Sequence, residues 1–346
     1  MVSYGHDVVV YCRRHFTPAD CDRRGLRVVY QPCVQSKHGE TLTHTLASTV
    51  DVLRRPFDIV QFHALGPALF AALPRFRGAR TVASIRGLDW QREKWGPLAR
   101  GFLRFCERAS HRLPTAVSVV SKTLQEHYAH AYGVNVRYIP NGVTLEASPE
   151  PREIKALGLE PRRFILFMGR ISPEKGVDTL IEAYRRLGKQ TRSVKLVIAG
   201  GSSYTGSFID QLRAQAPDGV LFPGRVGGRL RAELYSHAGA FVLPSTIEGL
   251  SVALLEAMSF GACVVTSDIP ENRELVDGVG FTVPCADPAA LAAALDRVLR
   301  APEAAATMGR LARARVEAEY TWDAVARATE AFYREVVGGR RCEAAA

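Results

Sequence analysis

Two glutamates, Glu248 and Glu256, stand near the ends of the otherwise nearly apolar run TIEGLSVALLEAM at residues 246–258. A carboxylate is costly to bury alone, so each must sit at a surface or meet something polar. Upstream, FMGRISPEKGVDTL places Gly169, Arg170 and Lys175 after an apolar run and before a helical pattern. Glycine lets a backbone approach a ligand, and cations near a helix N-terminus make an anion site. IAGGSS supplies Gly200 and Gly201, FPGRV supplies Gly224 and Arg225, and Glu248 and Gly249 stand at a further turn. Loops of this composition within one half of the chain describe a pocket for a phosphorylated ligand. If a helix begins near Ser251, its free N–H groups and positive end favour a phosphate. Glu248 then lies on the rim, and Glu256, flanked by Leu254, Leu255, Ala257 and Met258, lies more than a turn inside and half-buried. Accepting from two neighbouring hydroxyls of a ribose would satisfy both oxygens of Glu256. Glu248 could likewise hold hydroxyls of a second sugar. The plainer alternatives are a helix N-terminal charge for Glu248, structural hydrogen bonds for Glu256 and surface charges for Arg170 and Lys175.

These residues need strand ends and helix starts to position them, and the chain reads as a supply of both. DVVVYC, RVVYQP, DIVQFH, TVASIRG and TAVSVVS look like buried strands, since continuous Val/Ile runs suit a parallel sheet covered on both faces. TLTHTLASTVDVLRR and KTLQEHYAHAY carry helical spacing between them. Residues 146–162 turn Pro/Glu-rich and read as a linker. A second series follows: FILFMG, a helix over 178–187, KLVIAGG, a helix near 208–214, VLFPG, AFVLPS and ACVVTS. The expectation is an α/β chain of two doubly wound, Rossmann-like domains facing across a cleft, over 1–145 and 163–320, followed by a last helical segment over 321–338. Ligands in such sheets bind beyond the carboxyl ends of strands.

Bulk properties narrow the classes. A chain of 346 residues fits two domains, and 47% apolar residues suit a globular protein. No apolar run approaches the ~18 residues of a membrane span, and the opening MVSYGHDVVVYCRRHF lacks the features of a signal peptide. Seven scattered cysteines without a C-x-x-C pair read as reduced cytosolic thiols rather than a disulfide or zinc framework. The charge is uneven: residues 1–150 hold 20 basic and 12 acidic side chains, a net +8, and the rest a net +2. An anionic partner is expected on the first half.

Glu248-x7-Glu256, with Arg170 and Lys175 upstream and IPNGV at 139–143, resembles the retaining glycosyltransferases of the GT-B fold, family 4. GHDVVVYCRR, HTLAST, FDIVQFHALGPALF, RGLDWQREKWG and RYIPNGV resemble a bacterial polysaccharide subgroup that includes rhamnosyltransferase-like enzymes. The resemblance spans essentially the whole chain and implies that the last helix, over 321–338, crosses back to the first domain. It implies transfer of a sugar from a nucleoside-diphosphate donor to a saccharide or lipid-linked saccharide in cell-surface polysaccharide synthesis, with no cofactor and no metal. By the same resemblance Arg170 and Lys175 bind the diphosphate and stabilise the departing nucleotide. Glu248 contacts the donor sugar, Glu256 holds the ribose, the amides of Leu250 and Ser251 cap the distal phosphate, and Gly169, Gly200, Arg225 and Gly249 line the donor site. Asp20-Cys21-Asp22, a D-x-D remote from these motifs, is read as chance.

Two departures bear on activity. The family ordinarily opens with a strand, a glycine-rich loop and a helix before the point matching MVSYGHDVVVYC, so roughly 25–30 residues, about one strand and its crossover helix, are expected to be absent. Arg86 stands where relatives commonly carry a histidine near the transferred sugar; an arginine holds a phosphate or polarises a hydroxyl but is no base at neutral pH. His63 and Asp89 are further acceptor-side candidates. These departures motivate a non-catalytic nucleotide-sugar-binding remnant as the alternative, with an epimerase of the same architecture ranked below it. Arg100, Arg104, Arg108 and Arg112 recur every four residues beside Trp95, Leu98, Phe102 and Phe105, which suits either a solvated helix face or docking on an anionic bilayer. A cytoplasmic enzyme with peripheral contact on the inner face of the membrane is the expectation, with no nucleic-acid partner.

Overall fold

The computed structural model describes residues 1–17, 25–36, 39–92, 95–188, 193–201 and 206–339; the Asp20-Cys21-Asp22 triplet lies outside them. The chain divides into two units, Met1–Ile139 together with the chain from Ala326 onward, and Pro140–Val325.

In the first unit β1 (Val9–Cys12) and β2 (Arg27–Tyr30) pair in parallel as a sheet of their own. No residue of either strand is fully buried, so this pair is not sandwiched as a central sheet would be. A helix, α1 (Glu40–Val52), leads to a four-stranded parallel sheet in the order β3 (Ile59–His63), β4 (Arg80–Ile85), β5 (Ala116–Val119), β6 (Arg137–Tyr138). The inner strand β4 is buried over five of its six residues, Thr81 and Ser84 included, as a strand covered on both faces would be. Two helices, α2 (Pro97–Ser110) and α3 (Lys122–Tyr132), follow β4 and β5. Ser121 caps α3 by accepting from the amide of Leu124, and Gly133 closes it in the left-handed region at φ +65°.

The second unit opens at Pro140. Residues 146–162, expected as a linker, are instead folded onto their own unit. A short helix, α4 (Glu153–Ala156), has its N-terminal amides held by Glu233, and Ile154 is fully buried. The six-stranded sheet runs in the order β12-β11-β10-β7-β8-β9, all parallel. These are β7 (Phe164–Met168), β8 (Lys195–Ala199), β9 (Val220–Gly224), β10 (Ala240–Leu243), β11 (Val264–Ser267) and β12 (Phe281–Val283). Helices α5 (Val177–Arg186), α6 (Gly206–Gln215), α7 (Gly228–His237), α8 (Val252–Ser259) and α9 (Pro270–Val276) provide the crossovers. From β7 the chain builds outward through β8 and β9, then returns to β10 on the other side of β7 and builds outward again. Direction therefore reverses between β7 and β10, the switch point where sheets of this order leave a crevice at their carboxyl ends. Pro223 is tolerated because β9 is an edge strand, and the register shifts beside it. The structure adds β12 and α9, followed by α10 (Pro288–Arg300), α11 (Pro302–Glu319) and α12 (Trp322–Val337). Of these, α12 begins in the second unit and ends in the first.

Candidate functional site

Three glycine-bearing strand ends in the second unit are tied to one another by their backbones. Gly169 N donates to Ala199 O at 3.0 Å, Gly200 N to Gly224 O at 2.7 Å and Ile171 N to Gly201 O at 3.2 Å. Gly200 has φ +142°, and a Cβ there would lie 1.8 Å from Gly169 O, so only glycine permits this approach. Arg170 is exposed, 3.6 Å from Glu174, and Arg225 is exposed with its stem packed beside Gly201.

Lys175 and Glu248 are brought together across the switch point. Lys175 Nζ donates to Glu248 Oε1 at 2.5 Å, with side chains only 15% and 8% exposed. The two loops that carry them are joined by Thr246 N donating to Glu174 O at 3.0 Å. Gly176, at φ +63°, would place a Cβ 2.3 Å from Pro244 O. A mostly buried ion pair of this kind gives a weak return in stability and suits a site whose charges a ligand engages.

The second loop ends at α8, which starts where the sequence predicts. Ser251 is its N-cap and accepts from Leu254 N at 3.3 Å. The Leu250 carbonyl is held by Asn141 Nδ2 at 2.9 Å, so Asn141 of the IPNGV motif braces this loop from within the second unit. Glu256 is half-buried, and both of its oxygens have protein partners: Arg231 Nη1 on Oε1 at 2.9 Å and the Tyr235 hydroxyl on Oε2 at 3.0 Å. Arg231 also pairs with Glu146. Burial, then the Glu256 carboxylate, pushes the Tyr235 hydroxyl well above its usual pKa, so it remains a donor. Burial raises Glu271 too, with the charges of Glu248 and Glu274 adding to it. Arg231, Tyr235 and Glu271 carry no motif signal; α7 shows its apolar period only once its strand neighbours are known.

The acceptor-side candidates belong to the first unit. His63 ends β3 and Arg86 follows β4, with Arg86 Nη2 3.5 Å from His63 Nδ1. Although the residue reaches solvent, crowding of the ring by protein and then the Arg86 charge bring His63 down to about 4, leaving a neutral imidazole near pH 7. Asp89 pairs with Arg92 at 3.3 Å. Trp90 is spoken for by the fold: its Nε1 donates to buried Glu107 at 2.6 Å and Arg104 covers its ring at 4.6 Å. The arginine series lies on and just past α2, where Leu98, Phe102 and Phe105 are exposed.

Residues 150–315 match the family described as Glycosyl transferases group 1, and residues 1–147 match Glycosyltransferase Family 4. Glycogen synthase of Mycobacterium tuberculosis is 36% identical over 382 aligned positions, covering 99% of this chain and 89% of that protein. The chain belongs to the group 1/family 4 glycosyltransferases. Another relative of this glycosyltransferase is the GDP-mannose-dependent alpha-(1-6)-phosphatidylinositol monomannoside mannosyltransferase of the same organism, 28% identical over 90% of this chain and 84% of that one. The fold is shared with sucrose-phosphate synthase of Thermosynechococcus elongatus, at TM-score 0.83 and 22% identity over 98% and 91% of the two chains. It is shared as well with Anabaena HepE in complex with UDP and glucose, at TM-score 0.75 and 19% identity over 91% and 87%. Both are consistent with the GT-B architecture of two Rossmann-like domains. No helix among the described residues is long and apolar enough to cross a membrane.

Proposed function

We propose that this glycosyltransferase moves a sugar, with retention at the anomeric carbon, from a nucleoside-diphosphate donor to a saccharide or lipid-linked saccharide of the cell surface. The observation that carries the reading is the Lys175–Glu248 pair at the switch point, beside the Ser251-capped start of α8. Lys175 has three N–H donors, so it can keep Glu248 and still bind a diphosphate oxygen. Arg170 and Lys175 stabilise the charge that develops as the sugar C1–O bond to phosphate breaks. The acceptor hydroxyl attacks the same face and yields its proton to the departing phosphate oxygen, which accounts for retention without a metal. Glu248 holds hydroxyls of the donor sugar. Glu256 uses one lone pair of each oxygen on Arg231 and Tyr235, and its remaining lone pairs accept from the ribose. Donors of two kinds named among the relatives, UDP with glucose and GDP-mannose, support a nucleoside-diphosphate sugar and leave the base open. His63, Arg86 and Asp89 would meet the acceptor.

A second feature concerns place. Leu98, Phe102 and Phe105 are 92%, 42% and 60% exposed on α2, beside exposed Arg100, Arg104 and Arg108 and next to Arg112. This face suits peripheral docking on the anionic, cytoplasmic leaflet where a lipid-linked acceptor would lie.

The test is thermal unfolding with UDP, GDP, ADP, CDP or dTDP, in the wild type and in Glu256→Ala. A diphosphate at a hundred times its Kd stabilises by about 2.7 kcal/mol. One base raising Tm, with the shift lost in the variant, supports the pocket; a cooperative melt that none of the five moves overturns it. Incubation of the matching sugar donor with acceptor, followed by anomeric NMR of the product, tests retention. Binding without any turnover selects the non-catalytic alternative.

A further inference from the structure

We propose that His15, Cys33 and Glu40 in the first unit form a binding site for a borderline-soft divalent cation of the Zn²⁺ class. A ring nitrogen of His15, the Cys33 Sγ and a carboxylate oxygen of Glu40 all lie within 4.8 Å of one another. They arrive from three segments: the turn after β1, the stretch after β2 and the first turn of α1. His44, one turn further along α1, stands outside this cluster and hydrogen-bonds the backbone of Cys12.

The donors are one sulfur, one imidazole nitrogen and one carboxylate, a set that suits zinc with its fourth position open and a poor one for the oxygen-seeking Mg²⁺ and Ca²⁺. Thiolate and carboxylate together neutralise the cation's charge. Arg13, 3.1 Å from Glu40 Oε1, remains as the outer partner of a ligating carboxylate. A cation entering between His15 Nε2 and Glu40 Oε1, now 2.5 Å apart, displaces the hydrogen they share, and the thiol gives up its proton. Positions 15, 33 and 40 match no metal motif, which is why the residues go unnoticed in the sequence. Bound metal would staple β1, β2 and α1 together, independently of the donor site in the other unit.

The experiment titrates Co²⁺ alone into the chelator-treated full chain and reads the absorption spectrum, then displaces Co²⁺ with Zn²⁺. One Co²⁺ per chain, a thiolate-to-cobalt charge-transfer band and a rise in Tm with Zn²⁺ are expected. Cys33→Ser and His15→Ala, the latter at a side chain 34% exposed, should abolish the band or weaken affinity at least ~10–100-fold, the loss seen even for outer partners of a metal. Cys285→Ser, at an exposed thiol in the other unit, should leave the spectrum unchanged. A band that survives Cys33→Ser, or no saturable binding by the folded wild type, overturns the proposal.

Discussion

Glu233 shows no exposed side-chain surface, and its Oε2 accepts from the amides of Arg152, Glu153 and Ile154 at 2.8, 2.6 and 3.0 Å while Oε1 takes Arg229 Nε at 2.6 Å. Burial alone would raise its pKa; the three amides and Arg229 outweigh burial and hold it at about 2. A folded pKa below the unfolded value means that stability is present above about pH 4.5 and is lost as pH falls through 2. Glu233→Ala should cost about 3 kcal/mol, because three amides and an arginine lose their acceptor together; urea melts between pH 7 and pH 3 would show the deficit shrinking with acid. This carboxylate was not legible in the sequence, nor were Arg231 and Tyr235. On α7 they follow no motif, and their partners lie 25, 21 and about 80 residues away. Glu248 and Glu256 were legible because an apolar run makes an isolated carboxylate conspicuous. What the sequence did not show is that protein donors already engage both glutamates.

At the scale of elements, the strand ends of the second unit depend on backbone contact that side chains forbid. Gly200→Ala sets a Cβ 1.8 Å from Gly169 O at φ +142°, so the β7 and β8 ends must separate. The expected result is a loss of stability above ~1 kcal/mol together with weaker binding of whichever diphosphate the wild type takes, measured by calorimetry. Retained affinity would show that the Gly169–Gly200 contact does not shape the pocket. Strands β7, β8, β10 and β11 were readable because short, mostly apolar runs rich in Val, Ile, Leu and Phe suit a strand buried on both faces. The start of α8 was readable because serine before an apolar run has a capping function. Residues 146–162 were not: Pro and Glu mark a connection, and nothing local says that Glu233 waits to cap Glu153–Ala156. The separate β1–β2 pair was equally hidden, since periodicity identifies strands and not their neighbours.

For the molecule as a whole, charge and chain path matter more than any one contact. The net +8 of residues 1–150 and the exposed face of α2 predict binding to phosphatidylserine vesicles that weakens as salt rises. Replacing Arg100 and Arg108 by glutamine should cost roughly 2 kcal/mol of vesicle affinity, read by co-sedimentation; equal binding to neutral and anionic vesicles would remove the membrane reading. A second prediction concerns α12. Phe332 and Val336 form a buried cluster with Val82, against Ile59, Ala116 and Ile139, and Arg137 pairs with Glu335. Removing the chain from Ala326 onward should unfold the first unit while Pro140–Val325 keeps a cooperative melt; one shared loss of both transitions would refute this. The path of α12 also sets an order for birth on the ribosome. Val82 is made early, yet its covering residues Phe332 and Val336 emerge only after the entire second unit has been translated. At ~5–20 residues per second this is a wait of roughly ten seconds or more. The amino-terminal unit is therefore the last to be completed, and it is the nascent surface on which a holding chaperone would act.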